Sequence, residues 1–188
     1  YLGVSAVATV STVEEADLVH FDKRWTKLSH GEIITRADMT ATVEERENIV
    51  EADRELLDKI YTLFDTNGKD TVNYKDLLAG LSTIITGAPN YKLFFAISLF
   101  DTRRAKVLNR SEYLRLLKAI NKTVSFFGDP VLLDNQLSVI VTEAFKAQPS
   151  SASSIKYEEN FEQMASHPLI EKFLLGGGTA KFNRMALD

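Results

Sequence analysis

One unit is written twice in this chain. The segments LDKIYTLFDTNGKDTVNYKDLLAGL and LFFAISLFDTRRAKVLNRSEYLRLL align without a gap, and their shared aspartates, Asp65 and Asp101, stand 36 residues apart. Each copy begins with an apolar stretch ending in Leu-Phe. Each continues through a polar loop with an aliphatic residue at its eighth position, Val72 or Leu108, and an acid at its twelfth, Asp76 or Glu112. An apolar stretch restarts directly afterwards, at Leu77 or Tyr113. A period of this size marks supersecondary units that bury their apolar faces only against neighbouring units. Within the first copy Leu57, Ile60, Tyr61 and Phe64 recur at helical spacing, and the turn-formers of FDTNGKD stop that helix.

The rest of the chain continues the pattern of helix, short loop, helix. Helical periodicity is expected over 13–28, opened by a capping box of Thr12 and Glu15, with Leu18, Phe21 and Trp25 on one face. Ser29-His30-Gly31 interrupts it, and a short helix follows over 35–47. Helices are expected over 49–64 and 74–85, in YKLFFAISLFD, in SEYLRLLKAI, in VLLDNQLSVIVTEAFKA, and in YEENFEQMAS with HPLIEKFLL. Residues 1–12, rich in small side chains, read as an arm that needs a surface to lie on. Three glycines at 176–178 set off a tail, 176–188, expected to be mobile or held by a partner. The opening at Tyr1 leaves the native start, with any targeting or acylation signal, as an expectation outside this sequence.

Bulk chemistry removes several function classes. The chain has 188 residues, 45% hydrophobic and 26% charged, enough for a core without covalent staples. It has no cysteine, which excludes disulfides and thiolate chemistry. A net charge of −4 opposes nucleic-acid binding by counterion release. No apolar run is long enough to span a bilayer. His20, His30 and His167 lack the spacing of a zinc site. No serine has a visible base constellation, and Gly176-Gly177-Gly178 with Lys181 lacks the spacing of a phosphate loop. The chain is therefore expected not to be an enzyme.

The duplicated unit resembles the EF-hand, and the chain resembles the four-EF-hand proteins of the calcineurin B and neuronal calcium sensor branch, calaxin-like proteins included. The residues that carry this are KRWTKL, IYTLFDTNGKDTVNYKDLLAGLSTI, KLFFAISLFD with NRSEYLRLL, and IVTEAFKA with IKYEENFEQM. The resemblance implies an all-α fold of paired helix–loop–helix units in two lobes, one over 13–86 and one over 87–175. It implies a short ladder between paired loops, and the two well-preserved loops, 65–76 and 101–112, are expected to form such a pair with Val72 beside Leu108. Outer units are placed with Ile155 at an eighth and Glu159 at a twelfth position, and with Ile34 as the core residue of a first loop about two residues short of twelve and lacking carboxylates where they are needed.

An EF-hand loop holds calcium with oxygens from positions one, three, five, seven, nine and twelve. Loop 65–76 is the least degenerate, offering Asp65, Asn67, Thr71 through its carbonyl, and Asp76. Its fifth position is Lys69; an ammonium ~4 Å from a divalent ion is opposed by ~8 kcal/mol at an effective dielectric of about 20. Loop 101–112 carries Arg103, Ala105 and Lys106 at positions three, five and six. No cofactor is expected, weak calcium binding aside. The implied function is a calmodulin-like adaptor or light chain that grips an amphipathic helix or assembly surface of a larger protein. Trp25, Phe94, Phe95, Phe126 and Phe127 are the candidate partner-binding residues. Two alternatives remain open: a weak calcium sensor using loop 65–76, and a structural subunit of an axonemal or cytoskeletal complex. The expected location is cytoplasmic, with a cytoskeletal or axonemal site within it.

Overall fold

The structure is a computed structural model that describes residues 7–170 apart from 9, 102, 130 and 150. The expected tail, 176–188, and the first residues of the arm lie outside the described residues.

Helices and three-residue strands alternate along the chain: α1 (Glu15–Leu28), β1 (Ile33–Thr35), α2 (Arg36–Glu44), α3 (Glu51–Phe64), β2 (Thr71–Asn73), α4 (Tyr74–Leu81), α5 (Pro89–Phe100), β3 (Val107–Asn109), α6 (Arg110–Phe126), α7 (Asp134–Lys146), β4 (Ser154–Lys156) and α8 (Tyr157–Ala165). The fold is all-α and of EF-hand type. Each of these four strands sits between an entering and an exiting helix and contributes one apolar side chain to the interior.

Pairing of the strands corrects an expectation. Val72 faces Ile34 across the antiparallel ladder β1–β2, and Leu108 faces Ile155 across β3–β4. Val72 and Leu108 belong to different ladders. A duplicated sequence shows that two units are alike, not that they are partners. Here each well-preserved loop pairs with a degenerate one. All four eighth-position residues are at most 3% exposed, so each ladder is anchored from below.

α1 starts later than the sequence predicts. Glu14 is the N-cap, in a capping box with Asp17. Thr12 instead gives its N–H and hydroxyl to Asp53 Oδ2, at 2.8 and 2.5 Å. A buried carboxylate at the start of α3 needs donors more than an exposed helix end does. Asp17, fully buried, is likewise satisfied, by Glu14 N–H, Arg46 Nε at 2.5 Å and Asn48 Nδ2 at 2.9 Å. The arm lies on its own body: Val7, Ala8 and Val13 are buried, and Thr86 Oγ1 donates to the Ala8 carbonyl at 2.8 Å.

The buried side chains form one cluster that runs from Val7 to Ile170, so the two expected lobes share a continuous core. The join is α4 against α6. At Gly80 a Cβ would stand 2.5 Å from Thr123 Oγ1 and 2.7 Å from the Phe64 ring, so only hydrogen fits there. Gly80→Ala is expected to cost about 1–3 kcal/mol by forcing these helices apart, measured by urea unfolding. The ladders can be trapped chemically, because facing Cα atoms in an antiparallel pair lie within disulfide range and the chain has no native cysteine. Ile34→Cys with Val72→Cys is expected to oxidise to an intramolecular disulfide, whereas Val72→Cys with Leu108→Cys is not; the reverse result on non-reducing gels would refute the register.

Candidate functional site

Both duplicated loops have the same backbone. Their opening aspartates end the preceding helices at φ −76°, ψ 72° for Asp65 and φ −81°, ψ 69° for Asp101. The fourth residue is left-handed in each, Gly68 at φ 65° and Arg104 at φ 51°, and so is the sixth, Asp70 at φ 57° and Lys106 at φ 58°. The opening carboxylate enforces this shape. Asp65 accepts from Lys69 N and Asp70 N at 3.2 and 3.0 Å. Asp101 accepts from Ala105 N and Lys106 N at 3.1 and 2.7 Å. Hydrogen bonds to an ionised acceptor are about twice as strong as neutral ones, so one residue curls each loop without help from an ion.

Left-handed backbone is costly for a side chain other than glycine. In each loop the sixth residue is held from the partner unit. Asp70 Oδ1 accepts from Arg36 Nε at 2.6 Å, and Arg36 also reaches Asp58 at 2.5 Å and lies 4.6 Å from the Tyr61 ring centroid. Lys106 Nζ bonds Glu158 at 2.9 Å. The Tyr157 hydroxyl donates to Asp101 Oδ2 at 3.1 Å, and burial, then this carboxylate, push it up to about 12.

Counting from the core residue of each ladder, the twelfth loop position is Asp38, Asp76, Glu112 and Glu159. Each of these acids accepts from the chain itself. Asp38 takes the Thr35 N–H at 2.8 Å and Glu112 the Asn109 N–H at 2.9 Å, each closing a capping box on its exit helix. Glu159 takes Lys156 Nζ at 3.1 Å. Asp76 takes Arg115 Nε at 2.6 Å, from α6. Asn73, at the ninth position, caps α4 by accepting from Lys75 N and Asp76 N.

Arg115 ties more than one loop. Its guanidinium also approaches Glu32 of the first loop, with Nη1 to Oε2 at 3.4 Å. Glu32 in turn takes Lys75 Nζ at 2.7 Å and Asn73 Nδ2 at 3.0 Å. Burial raises Glu32, but the bonds from Asn73 and Lys75 and the charges of Lys75 and Arg115 outweigh it and hold the carboxyl below its ordinary range. Burial raises Asp76 above its ordinary range, although Arg115 pulls the other way.

Calcium, the ion such loops imply, would meet an incomplete donor set here. In loop 65–76 the fifth position is Lys69, Asn67 Oδ1 is taken by Lys69 N at 2.9 Å, and Asp76 is turned onto Arg115. Loop 101–112 offers Arg103 and Ala105 at the third and fifth positions, where oxygens are needed, and carries Lys106 at the sixth. Among the described residues no three His, Asp or Glu side chains converge as metal ligands.

Fold and loop geometry together are those of paired helix–loop–helix units of EF-hand type. In sequence it is similar to neuronal-calcium-sensor proteins: 36% identical over 75 residues to "Calcium-binding protein NCSA" of Dictyostelium discoideum, covering 40% of each chain. It is 32% identical over 65 residues to visinin of Gallus gallus, covering 35% of this chain and 34% of visinin. The chain thus spans well under half the length of these relatives. No family model matches it.

The expected partner-binding aromatics lie mostly inside. Trp25 is fully buried, with its ring centroid 5.1 Å from that of Phe21, and presents no surface. Phe95 and Phe127 are buried. Phe94 is half-buried, edge-on to Phe161 at 5.1 Å, and Phe126 is half-buried, edge-on to Phe127 at 5.0 Å. The acids Asp38 and Glu32 and the cations Arg36, Lys75 and Arg115 are not singled out by sequence pattern, and Asp38, four residues after Ile34, corrects the expectation that the first loop lacks a closing carboxylate.

Arg115→Gln tests the network through pH. Glu32, lowered in the fold, stabilises above its ordinary range and loses that contribution as pH falls. Asp76, raised, stabilises only while protonated and loses its contribution as pH rises. Removing Arg115 takes a lowering influence from both carboxyls. The variant is expected to lose about 1 kcal/mol at neutral pH, since the pairs are a third exposed, and to converge with the parent at about pH 3, where carboxylates protonate; thermal melts at both values check this.

Proposed function

We propose that the protein is a non-enzymatic EF-hand adaptor that binds a helix or assembly surface of a larger protein and holds its own loops without calcium. The observation that carries this reading is the engagement of all four twelfth-position acids by donors of the chain. In a calcium switch, ion binding repositions the exit helices and opens an apolar groove. A ligand shifts an equilibrium only by its differential affinity for the two states. Here Asp38, Asp76 and Glu112 are already held by capping boxes or Arg115, while Glu159 meets only an exposed lysine, so the differential affinity left to an ion is reduced. The partner then stabilises the bound state by mass action alone. Under this reading the units over 13–86 and 87–175 act as one body. Phe94 and Phe126, half-buried, are the aromatics a small opening would offer to a partner.

The second reading is weak calcium sensing through loop 65–76. Its support is the likeness to a calcium-binding protein of Dictyostelium and the oxygen donors Asp65 and Asn67. A calaxin-like place in an axonemal or cytoskeletal assembly is one variant of the adaptor reading. No helix among the described residues is long and apolar enough to cross a membrane.

Isothermal titration decides between the readings. The adaptor is expected to give no calcium isotherm and no rise in melting temperature at about 1 mM calcium, roughly a hundredfold above the dissociation constants of sensor-class loops. A micromolar isotherm would transfer the case to the sensor.

A further inference from the structure

We propose that the outward face of α6, between Phe64 on one side and Leu133 on the other, docks an acidic segment of another protein that carries an apolar anchor. This rests on the adaptor reading and assigns that adaptor a surface.

A groove of about 430 Å3 runs along α6 against the second loop. Phe64, Leu114 and Ala119 give it apolar walls, and Arg115, Lys118 and Lys122 stand along it at helical spacing. Their charges are not equally spent. Arg115 is committed to Asp76. Lys118 reaches Asp134 at 3.2 Å, but that carboxylate is 80% exposed and exchanges readily for another. Lys122 holds its ammonium 5.1 Å from the Phe64 ring centroid, and its charge also acts on Asp76, which lines the same groove. On a chain of net charge −4 this face is a local cationic island. An acidic partner is drawn to this face, and the spacing of its cations helps to set register.

The apolar half of the recognition stands beside the same helix. Val131 is 45% exposed and Leu133 65% exposed. A single exposed aliphatic means little. These two flank Leu132, whose N–H and carbonyl are both bonded to the Asn121 side chain at 2.9 Å. Asn121 neighbours Lys122 and lies one turn from Lys118. The aliphatics are therefore clamped beside the cations, and docking would cost little further ordering of backbone. A charged rim around an apolar anchor site is the ordinary anatomy of a protein interface. A nucleic acid fits less well, because Lys118 and Lys122 release few counterions.

The test is fluorescence anisotropy with a short fluorescein-labelled peptide of glutamates around a Leu-Phe pair, with a single-stranded oligonucleotide as competitor class. The parent is expected to bind the peptide, less tightly as salt is raised. Lys118→Glu with Lys122→Glu is expected to raise Kd by about tenfold or more. Leu133→Ser is expected to raise it by a few-fold, and Lys118→Glu alone serves as the variant that leaves the Phe64 contact intact. Absence of peptide binding, equal binding by the charge-reversed variants, or tighter binding of the oligonucleotide each overturns the surface. Titrations with EGTA and with calcium separate the two claims: peptide binding that requires calcium would sink the calcium-free adaptor and leave the surface standing, whereas loss of charge dependence would do the reverse.

Discussion

The structure depends on a carboxylate turned inward on its own loop. Asp65 and Asp101 each accept two consecutive backbone N–H groups four and five residues ahead. That bond pair curls the chain through two left-handed residues and delivers the eighth side chain to the core. In these two loops the ladder strand and the start of the exit helix follow directly on the curl. An ion can add to such a loop, but this one is already shaped. Loop 101–112 keeps the curl with Arg103, Ala105 and Lys106 at positions three, five and six, and loop 65–76 keeps it with Lys69 at position five.

What replaces an oxygen cage is a set of charges from elsewhere in the chain. Arg115 holds Asp76 at the twelfth position, where a bound ion would take an oxygen, and Arg36 steadies Asp70 at the left-handed sixth position. The distinction is thermodynamic. A diffusing ion stabilises in proportion to its concentration; a tethered guanidinium does so always. Similarity to a calcium-binding protein of Dictyostelium and to visinin is thus compatible with loops of a different temper.

The sequence discloses the units well and their partnerships poorly. Helical spacing in Leu57, Ile60, Tyr61 and Phe64 and the turn residues after Phe64 are local signals, and α3 and its loop follow from them. Val72 and Leu108 are recognisable as core residues because an aliphatic in a polar loop has few other uses. Which ladder each joins is a matter of topology, and likeness between the best-preserved copies points to the wrong pairing. Arg115 contacts Asp76 across 39 residues of chain, a pairing that no periodicity reports. Trp25 shows the converse limit: a large aromatic suits an interface or a core equally, and tertiary packing decides for its stacking on Phe21 inside the molecule.

Gly80 gives the last of these contacts a mechanical meaning. Its missing side chain lets α4 rest directly on the Phe64 ring and on Thr123. Phe64 also walls the groove beside α6. A load pressed onto that ring would pass through bare backbone into the opposite half, with no soft side chain between to absorb it. Such a joint suits a strut better than a hinge: it would relay tension between whatever it is fastened to, and it has little slack with which to store a message.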